Sequence, residues 1–285
     1  MLGEGDIVRG LVRPAVTGRA RVAYVYDATD GVVRLSDLEQ RDPLKILFPD
    51  PLAEKQPVAV LVNTGGGIVG GDSLTIEVDI GTQAAALVTA QSAEKIYRAW
   101  GPYARVHNAL NVGAGARLEW LSQDTILFDG AKLDRKMDID LAADSDLLAG
   151  EIVVFGRRAR GETMTYGALR DRWSIRRDGK RLWDDALILD RLDDEILARP
   201  ALFNGARASA TLVCACPDPE AAREIAREAL DGAAEAGAGV VAGLMVARLL
   251  DAEPARLRRD YARLWLALRT RIWNLPGQLP RLWHV

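Results

Sequence analysis

Five glycines among residues 65–71, in the run Asn63-Thr-Gly-Gly-Gly-Ile-Val-Gly-Gly-Asp72, constrain this chain more than any other stretch. A backbone so rich in glycine adopts conformations closed to other residues, or lies against atoms that leave no space for a Cβ. The apolar run Val58–Val62 precedes it, and the strictly alternating Leu74-Thr-Ile-Glu-Val-Asp-Ile80 follows. Ile68 and Val69 interrupt the glycines, which predicts an apolar pair dipping inward between two turns. The spacing Gly65-x-Gly67-x-x-Gly70 matches a dinucleotide-binding fingerprint, but that fingerprint must open a helix. Here the next segment has a period of two, and no Lys-Ser or Lys-Thr follows, which excludes a phosphate-cradling loop as well. The glycines predict a strand-to-strand corner.

Alternation continues downstream and repeats. Glu77-Val-Asp-Ile-Gly-Thr-Gln-Ala84, Ala109-Leu-Asn-Val-Gly-Ala-Gly-Ala116 and Asp138-Ile-Asp-Leu-Ala-Ala-Asp-Ser145 share one form: a strand end, a small-residue turn, then a second strand. Ile80, Val112 and Leu141 recur at spacings of 32 and 29 residues. Strand units of that period point to stacked β coils, with an ordinary sandwich as the alternative. In Lys132–Leu141, Leu133, Met137, Ile139 and Leu141 are expected inward, and Asp134, Lys136, Asp138 and Asp140 on a solvated face. Residues 7–26 suggest an N-terminal strand pair. Arg41–Pro49 reads as a Pro-bounded connector with Ile46, Leu47 and Phe48 buried. Residues 164–190 read as further strands, with Trp173 and Ile175 on one face and a turn at Asp178-Gly179.

The period then changes. Pro217-Asp-Pro-Glu220 predicts a helix start, with Pro219 where a first-turn proline is tolerated, and an Ala-rich body to about residue 236. Gly237-Ala-Gly239 is expected to stop it, and Val240–Ala247 to return as a buried strand. A second helix is predicted from about 254 to 272, with Leu257, Tyr261, Leu264, Trp265, Leu268 and Ile272 at helical spacing. The fold class expected is mainly β: a stacked, β-helix-like arrangement of strands with two C-terminal α-helices.

Composition narrows function. A net charge of −3 and a pI near 5.6 argue against nucleic acid or an anionic membrane surface as partner. No run of 18 apolar residues occurs, and Met1–Asp6 lacks a charged, apolar leader, so neither a membrane span nor a signal peptide is expected. Two cysteines form no disulfide framework, which fits a reducing cytoplasm. With two histidines in 285 residues, a His-based catalytic or zinc centre has little to work with. His107 is expected to be structural, and His284 lies next to the chain end. Cys214 and Cys216 share a strand face, but without further ligands nearby they read as buried thiols. No nucleophile elbow, kinase signature or His-Glu-x-x-His occurs. Among many carboxylates, Asp72, Glu119, Asp129 and Glu151 are flanked by glycine or apolar residues. Glu151, between Gly150 and Ile-Val-Val-Phe155, must be paired or functional if buried.

Gly66-Gly-Ile-Val-Gly-Gly-Asp72, Glu94-Lys-Ile-Tyr-Arg98, Leu118–Asp129 and Glu151-Ile-Val-Val-Phe-Gly-Arg157 together resemble the signature blocks of the urease accessory protein UreD (UreH) family, in the family's order. Leu264-Trp265 and Pro280-Arg-Leu-Trp283 are similar too. The resemblance implies one UreD-type domain over residues 1–285 and no catalytic turnover. It also implies a cytoplasmic complex with the accessory proteins UreF and UreG (a GTPase), a homodimer within that complex as a candidate assembly, and docking on the urease apoprotein during nickel insertion. A nickel route through the interior belongs to the same expectation. Transient, low-affinity nickel suits oxygen ligands and water, since a strong His or Cys cage would hold it.

Asp72 and Glu151 are the candidate metal residues, expected to face an internal water-filled passage. The bland reading pairs each with an arginine: Arg98, Arg157 or Arg158. The competing function is a carbohydrate-active enzyme on a β-solenoid using Asp72 and Glu151 as its carboxylate pair, although only 6% of residues are aromatic. A nucleotide-binding domain built on the glycine stretch is the third reading.

Overall fold

The computed structural model describes residues 14–49, 56–157 and 160–284. In chain order the strands are β1 (Thr17–Asp27), β2 (Val32–Arg41), β3 (Leu44–Leu47), β4 (Val58–Asn63), β5 (Ser73–Ile80), β6 (Ala85–Ala90), β7 (Glu94–Ile96), β8 (Ala104–Val112) and β9 (Arg117–Leu121). They continue with β10 (Thr125–Leu127), β11 (Lys132–Leu141), β12 (Asp146–Phe155), β13 (Ala168–Arg177) and β14 (Lys180–Leu189). After helix α1 (Asp194–Ala198) come β15 (Ala208–Ala215), α2 (Pro219–Ala229), β16 (Glu235–Val241), β17 (Leu244–Asp251) and α3 (Pro254–Trp273).

The strands form two facing sheets. One runs β14-β13-β11-β8-β5-β1-β2; the other runs β16-β17-β15-β12-β9-β6-β4-β3, with β7 and β10 beside it. The sequence repeat is the stacking repeat. Ile80, Val112 and Leu141 pair with one another across parallel β5, β8 and β11. Ala86, Leu118 and Leu147 do the same across β6, β9 and β12 after the small-residue turn. Each coil thus crosses from the first sheet to the second, then returns by a short third side. Ile68 bridges Ile96 there, β7 pairs with β10, and β10 pairs with the end of β12. Ile68, Ile96, Leu127 and Phe155 are all buried on this side.

The glycine stretch is the third side of the first coil. Ile68 N donates to Lys95 O at 2.8 Å, and Tyr97 N donates to Ile68 O at 2.8 Å. Gly67 has φ +141°, and a Cβ there would sit 2.4 Å from the Tyr97 ring and 2.7 Å from Lys95 O. A Cβ on Gly70 would meet Pro102 O at 2.6 Å. The corner therefore requires glycine both for its conformation and for the close approach of the next coil.

Two apolar layers result. Odd residues of β12 (Leu147, Ala149, Val153, Phe155) pack between the sheets, and even ones (Leu148, Ile152, Val154) pack under α2 and α3. A strand buried on both faces explains the continuous apolar run. The α3 stripe Leu257, Tyr261, Leu264, Trp265 and Leu268 closes that outer layer, with Pro254 in its first turn and Asn274 ending it in the left-handed conformation at φ 52°.

Several expectations need correction. A short helix, α1, is present besides the two C-terminal helices expected; its N-cap is Asp193, whose side chain accepts from Ile196 N. Helix α2 ends at Ala229, before Gly232 at φ +78°, so Gly237-Ala-Gly239 lies within strand β16. Ala periodicity cannot mark that stop, and an edge strand of Ala and Gly carries no apolar alternation. Residues 240–247 hold a hairpin turn at Ala242-Gly243, with φ 49° and 80°, not one strand. The N-terminal pair is β1 with β2, beginning at Thr17; residues 7–13 of the expected pair lie outside the described residues. Leu44–Leu47 is a strand whose Leu44 and Ile46 are buried, while Leu47 and Phe48 are 56% and 43% exposed. A strand edge sends alternate side chains outward, so the apolar triple could not be buried together. Among the described residues no helix is long and apolar enough to cross a membrane.

Candidate functional site

Side-chain parity places three charged residues between the sheets. Arg135 shares the inward face of β11 with Leu133, Met137 and Ile139. Asp171 shares that of β13 with Leu169, Trp173 and Ile175, and Glu151 lies between Ala149 and Val153 on β12. Arg135 and Asp171 are direct partners in the parallel register. The Arg135 guanidinium clamps Asp171 through Nε (2.9 Å to Oδ1) and Nη2 (2.6 Å to Oδ2). Its Nη1 crosses the interior to Glu151 Oε2 at 2.6 Å and Thr125 Oγ1 at 3.1 Å. Trp120 Nε1 donates to the other Glu151 oxygen at 3.0 Å. Burial pushes the Glu151 carboxyl above its usual range, against the opposing pull of Arg135 and Trp120. Burial alone would lower Arg135, but the two carboxylates outweigh it and raise it further.

Arg135, Glu151, Thr125 and Trp120 of this cluster, but not Asp171, line a cavity of about 130 Å³ between the sheets. A buried water needs roughly 10–15 Å³ measured this way, so several waters fit. Buried Asn108, Gln123, Thr125, Arg135 and Glu151 line the inner part, with Trp120. Asn63, Gly66, Gly67, Glu94 and Lys95 line the outer part, at the glycine corner. Glu94 is held by Asn63 Nδ2 at 3.1 Å from each carboxylate oxygen, and burial pushes its carboxyl up. Asn108 is buried, and its Oδ1 accepts no hydrogen bond from the described residues. The groups of the lining able to ligate a cation are carboxylate, amide and hydroxyl oxygens, without His or Cys; the Arg135, Lys95 and Trp120 nitrogens only donate hydrogen bonds.

Asp72, the other candidate, is buried in the corner itself. Its carboxylate accepts Val16 N at 2.8 Å and Val69 N at 3.0 Å, fastening the corner to the chain entering β1. It is not among the residues lining the cavity, so the structure does not bring Asp72 and Glu151 to one cleft as a glycosidase pair would require. Of the arginines considered as partners, Arg98 engages Asp129 and Arg157 engages Glu162; Arg158 lies outside the described residues. Glu151 takes Arg135 instead.

The remaining candidates are structural. Glu119 faces the helices, fully buried, and receives Arg269 Nε at 2.9 Å and Nη2 at 3.2 Å, with Gln56 at 3.2 Å. Asp129 caps the loop before β13, accepting Thr165 N (2.6 Å), Thr165 Oγ1 (2.7 Å) and Tyr166 N (3.3 Å). His107 lies on the outer face of the first sheet, 2.8 Å from Asp138. Cys214 and Cys216 are buried under the helices. Among the described residues no group of three or more His, Cys, Asp or Glu is placed to hold a metal. Sequence reasoning missed Arg135, Asp171, Asn108 and Gln123. For the first two the signal was present: each is a charged residue at an inward position of an alternating strand.

Comparison with known proteins agrees with the sequence blocks. The family model described as UreD urease accessory protein matches residues 17–284. The chain is 43% identical over 269 residues to urease accessory protein UreD 2 of Methylorubrum populi, covering 93% of this chain and 89% of that protein. It is 39% identical over 276 residues to urease accessory protein UreD of Magnetococcus marinus, covering 95% and 94%. The corresponding protein of Xanthobacter autotrophicus is 43% identical over 275 residues, covering 95% and 91%.

Proposed function

Because the chain belongs to the UreD family of urease accessory proteins, we propose that it acts in the cytoplasm as scaffold and nickel conduit in the complex that loads the urease apoprotein. UreF and UreG are the accessory partners in this reading, with a homodimer as one assembly of the complex. Nickel is cargo and not a resident cofactor. The observation that carries the reading is the cavity lined by Glu94 at the glycine corner and by buried Glu151, its largely apolar wall set with a few carboxylate, amide and hydroxyl oxygens. A hard, sparse donor set binds a borderline cation weakly and lets water complete its shell, which is what transit needs. Glu151 is the ligand assigned to the route. Asp72 contributes by fastening the corner, because its carboxylate is taken up by backbone N–H groups.

The test is urease activation in cells producing the apoprotein and all accessory proteins. Glu151→Gln is expected to lower activation about tenfold or more, the range typical when groups around a metal site are altered. Co-purification with UreF, UreG and apoprotein should be unchanged. Normal activation by both Glu151→Gln and Glu94→Gln would remove the conduit assignment and leave the scaffold role. Asp72→Ala separates its two expected roles: loss of activation together with loss of thermal stability marks a structural role, and loss of activation alone marks a ligand.

A further inference from the structure

The buried cluster holds two carboxylates and one guanidinium, and Asn108, whose buried Oδ1 has no hydrogen-bond partner among the described residues, lines the same cavity as Arg135 and Glu151. With both carboxylates ionised the cluster carries one uncompensated negative charge, in a medium where charge is poorly screened. Asp171 holds Arg135 by two hydrogen bonds, whereas Glu151 holds it by one, from Nη1. Resting on the conduit reading, we infer that Arg135 is a counter-charge latch: an arriving divalent cation takes Glu151 and the Asn108 oxygen while Arg135 stays clamped to Asp171.

The charge count shows what such a latch does. With Arg135 retained, the cation meets one free carboxylate and leaves one positive charge in excess, so it stays weakly held. Without Arg135, two carboxylates would neutralise a divalent cation completely, and the route would become a trap. Without Asp171, Arg135 and Glu151 would neutralise each other, and nothing would draw a cation in. Asp171 is thus a positioning residue that keeps the guanidinium from closing the passage. Thr125 steadies the moving end, since its hydroxyl oxygen accepts from the same Nη1.

The two deletions therefore move affinity in opposite directions, which a merely structural ion pair would not do. Full-length protein is titrated with Ni²⁺ alone, read by calorimetry and by the indole resonance of Trp120, whose Nε1 rests on Glu151. Arg135→Met should bind Ni²⁺ at least about tenfold more tightly than the wild type, and Asp171→Asn at least about tenfold more weakly, since each shifts the site by one full charge. The double variant R135M/D171N restores the net charge and should return to within a few fold of the wild type. If Arg135→Met does not fold, Asp171→Asn alone decides the matter. Unchanged affinity in Asp171→Asn, or affinities that fall together in both variants, overturns the latch. Failure of the conduit itself looks different: the wild type shows no Ni²⁺-dependent change at Trp120, and Glu151→Gln activates urease normally.

Discussion

Two buried carboxylates, Glu119 on β9 and Glu151 on β12, stand one coil apart and face opposite ways, and the groups around them differ as their tasks do. Glu119 points at the helices and meets Arg269 in a pair with both side chains wholly buried. Gln56 Nε2 donates to Glu119, Arg269 Nη1 donates to the Pro276 carbonyl, and the Arg269 guanidinium lies 4.9 Å from the Trp265 ring. Glu151 points between the sheets, shares one guanidinium with Asp171, and borders a cavity. The outer pair is sealed under the helices; the inner cluster sets two carboxylates against one guanidinium beside a cavity large enough for water. A sealed pair fixes where a helix docks, and two carboxylates sharing one guanidinium beside a cavity are left able to exchange it. Burial of an ion pair alone would not tell the two apart, because its net worth to stability is small or negative while its disruption is costly.

The largest expected effect breaks this contrast most directly. Arg269→Met should cost about 3–5 kcal/mol, the usual consequence of leaving a buried charge alone. Arg135→Met should cost less, because water in the cavity reaches the carboxylates it abandons, and Ni²⁺ should restore part of its stability by binding the native state. Denaturant unfolding with and without Ni²⁺ measures both. Equal costs, or Ni²⁺ rescue of Arg269→Met, would show that the two sites do not differ in kind.

A matched, milder pair follows. Glu119→Gln should lose about 2–3 kcal/mol, since charge-assisted hydrogen bonds to a sealed guanidinium are among the stronger ones. Glu151→Gln should lose about 1 kcal/mol, because an amide still accepts from Trp120 and the cavity solvates the rest. Reversal of that order in thermal or chemical unfolding would place the structural lock on the inner cluster.

The glycine corner sharpens the comparison at the cavity's outer end. Gly67→Ala should cost more than about 1 kcal/mol, from positive φ and a clash with Tyr97 and the Lys95 carbonyl. Gly65→Ala should cost clearly less, since its φ is ordinary and its nearest neighbour would be the Asn63 side chain at 3.1 Å. Equal tolerance at both positions, read by thermal unfolding, would mean that the coil above does not press on the corner.

How much of this was legible in the sequence follows from where the information lies. Alternation in Leu74–Ile80 and Lys132–Leu141 is local, so strand and inward face could be read from neighbours. The recurrence of Ile80, Val112 and Leu141 gave the stacking because stacked coils place equivalent residues in register. Strand β16 was invisible, since an edge strand of small residues buries little and shows no alternation. Glu151 was legible as a carboxylate inside an apolar strand. Its partner was not, because Arg135 lies 16 residues away on the facing sheet and meets it only across the core. Arg135 and Asp171 each broke the apolar face of a strand, but recognising their pairing needed the parallel register. Asp72 shows the limit from the other side: its place beside the glycines suggested a passage wall, and only the folded chain shows its carboxylate accepting two backbone amides.

The smallest expected effect concerns pH, and it contrasts the cavity rim with the neighbouring corner one coil further on. Burial raises the Asp129 carboxyl, but hydrogen bonds from Thr165 and Tyr166 and the charge of Arg98 outweigh it and hold it below its ordinary 3.8. A depressed carboxyl adds stability that is complete above the ordinary value and is lost as pH falls through the folded one. Burial of Glu94 has the opposite outcome: Asn63 and the Lys95 N–H do not compensate, and its carboxyl is raised above 4.5. Its contribution is present below the ordinary value and lost as pH rises through the folded one, so at neutral pH an ionised Glu94 weighs against folding. Asp129→Asn should therefore remove part of the acid-side loss of stability and lower stability at neutral pH. Glu94→Gln should raise stability at neutral pH relative to pH 4 and leave the acid side unchanged. Differences in denaturant midpoint between each variant and the wild type, followed from pH 3 to 7, give the sign. A carboxylate kept at the rim at a cost to stability is what a cation entrance requires, so a Glu94→Gln variant no more stable than the wild type at neutral pH would remove the rim from the route.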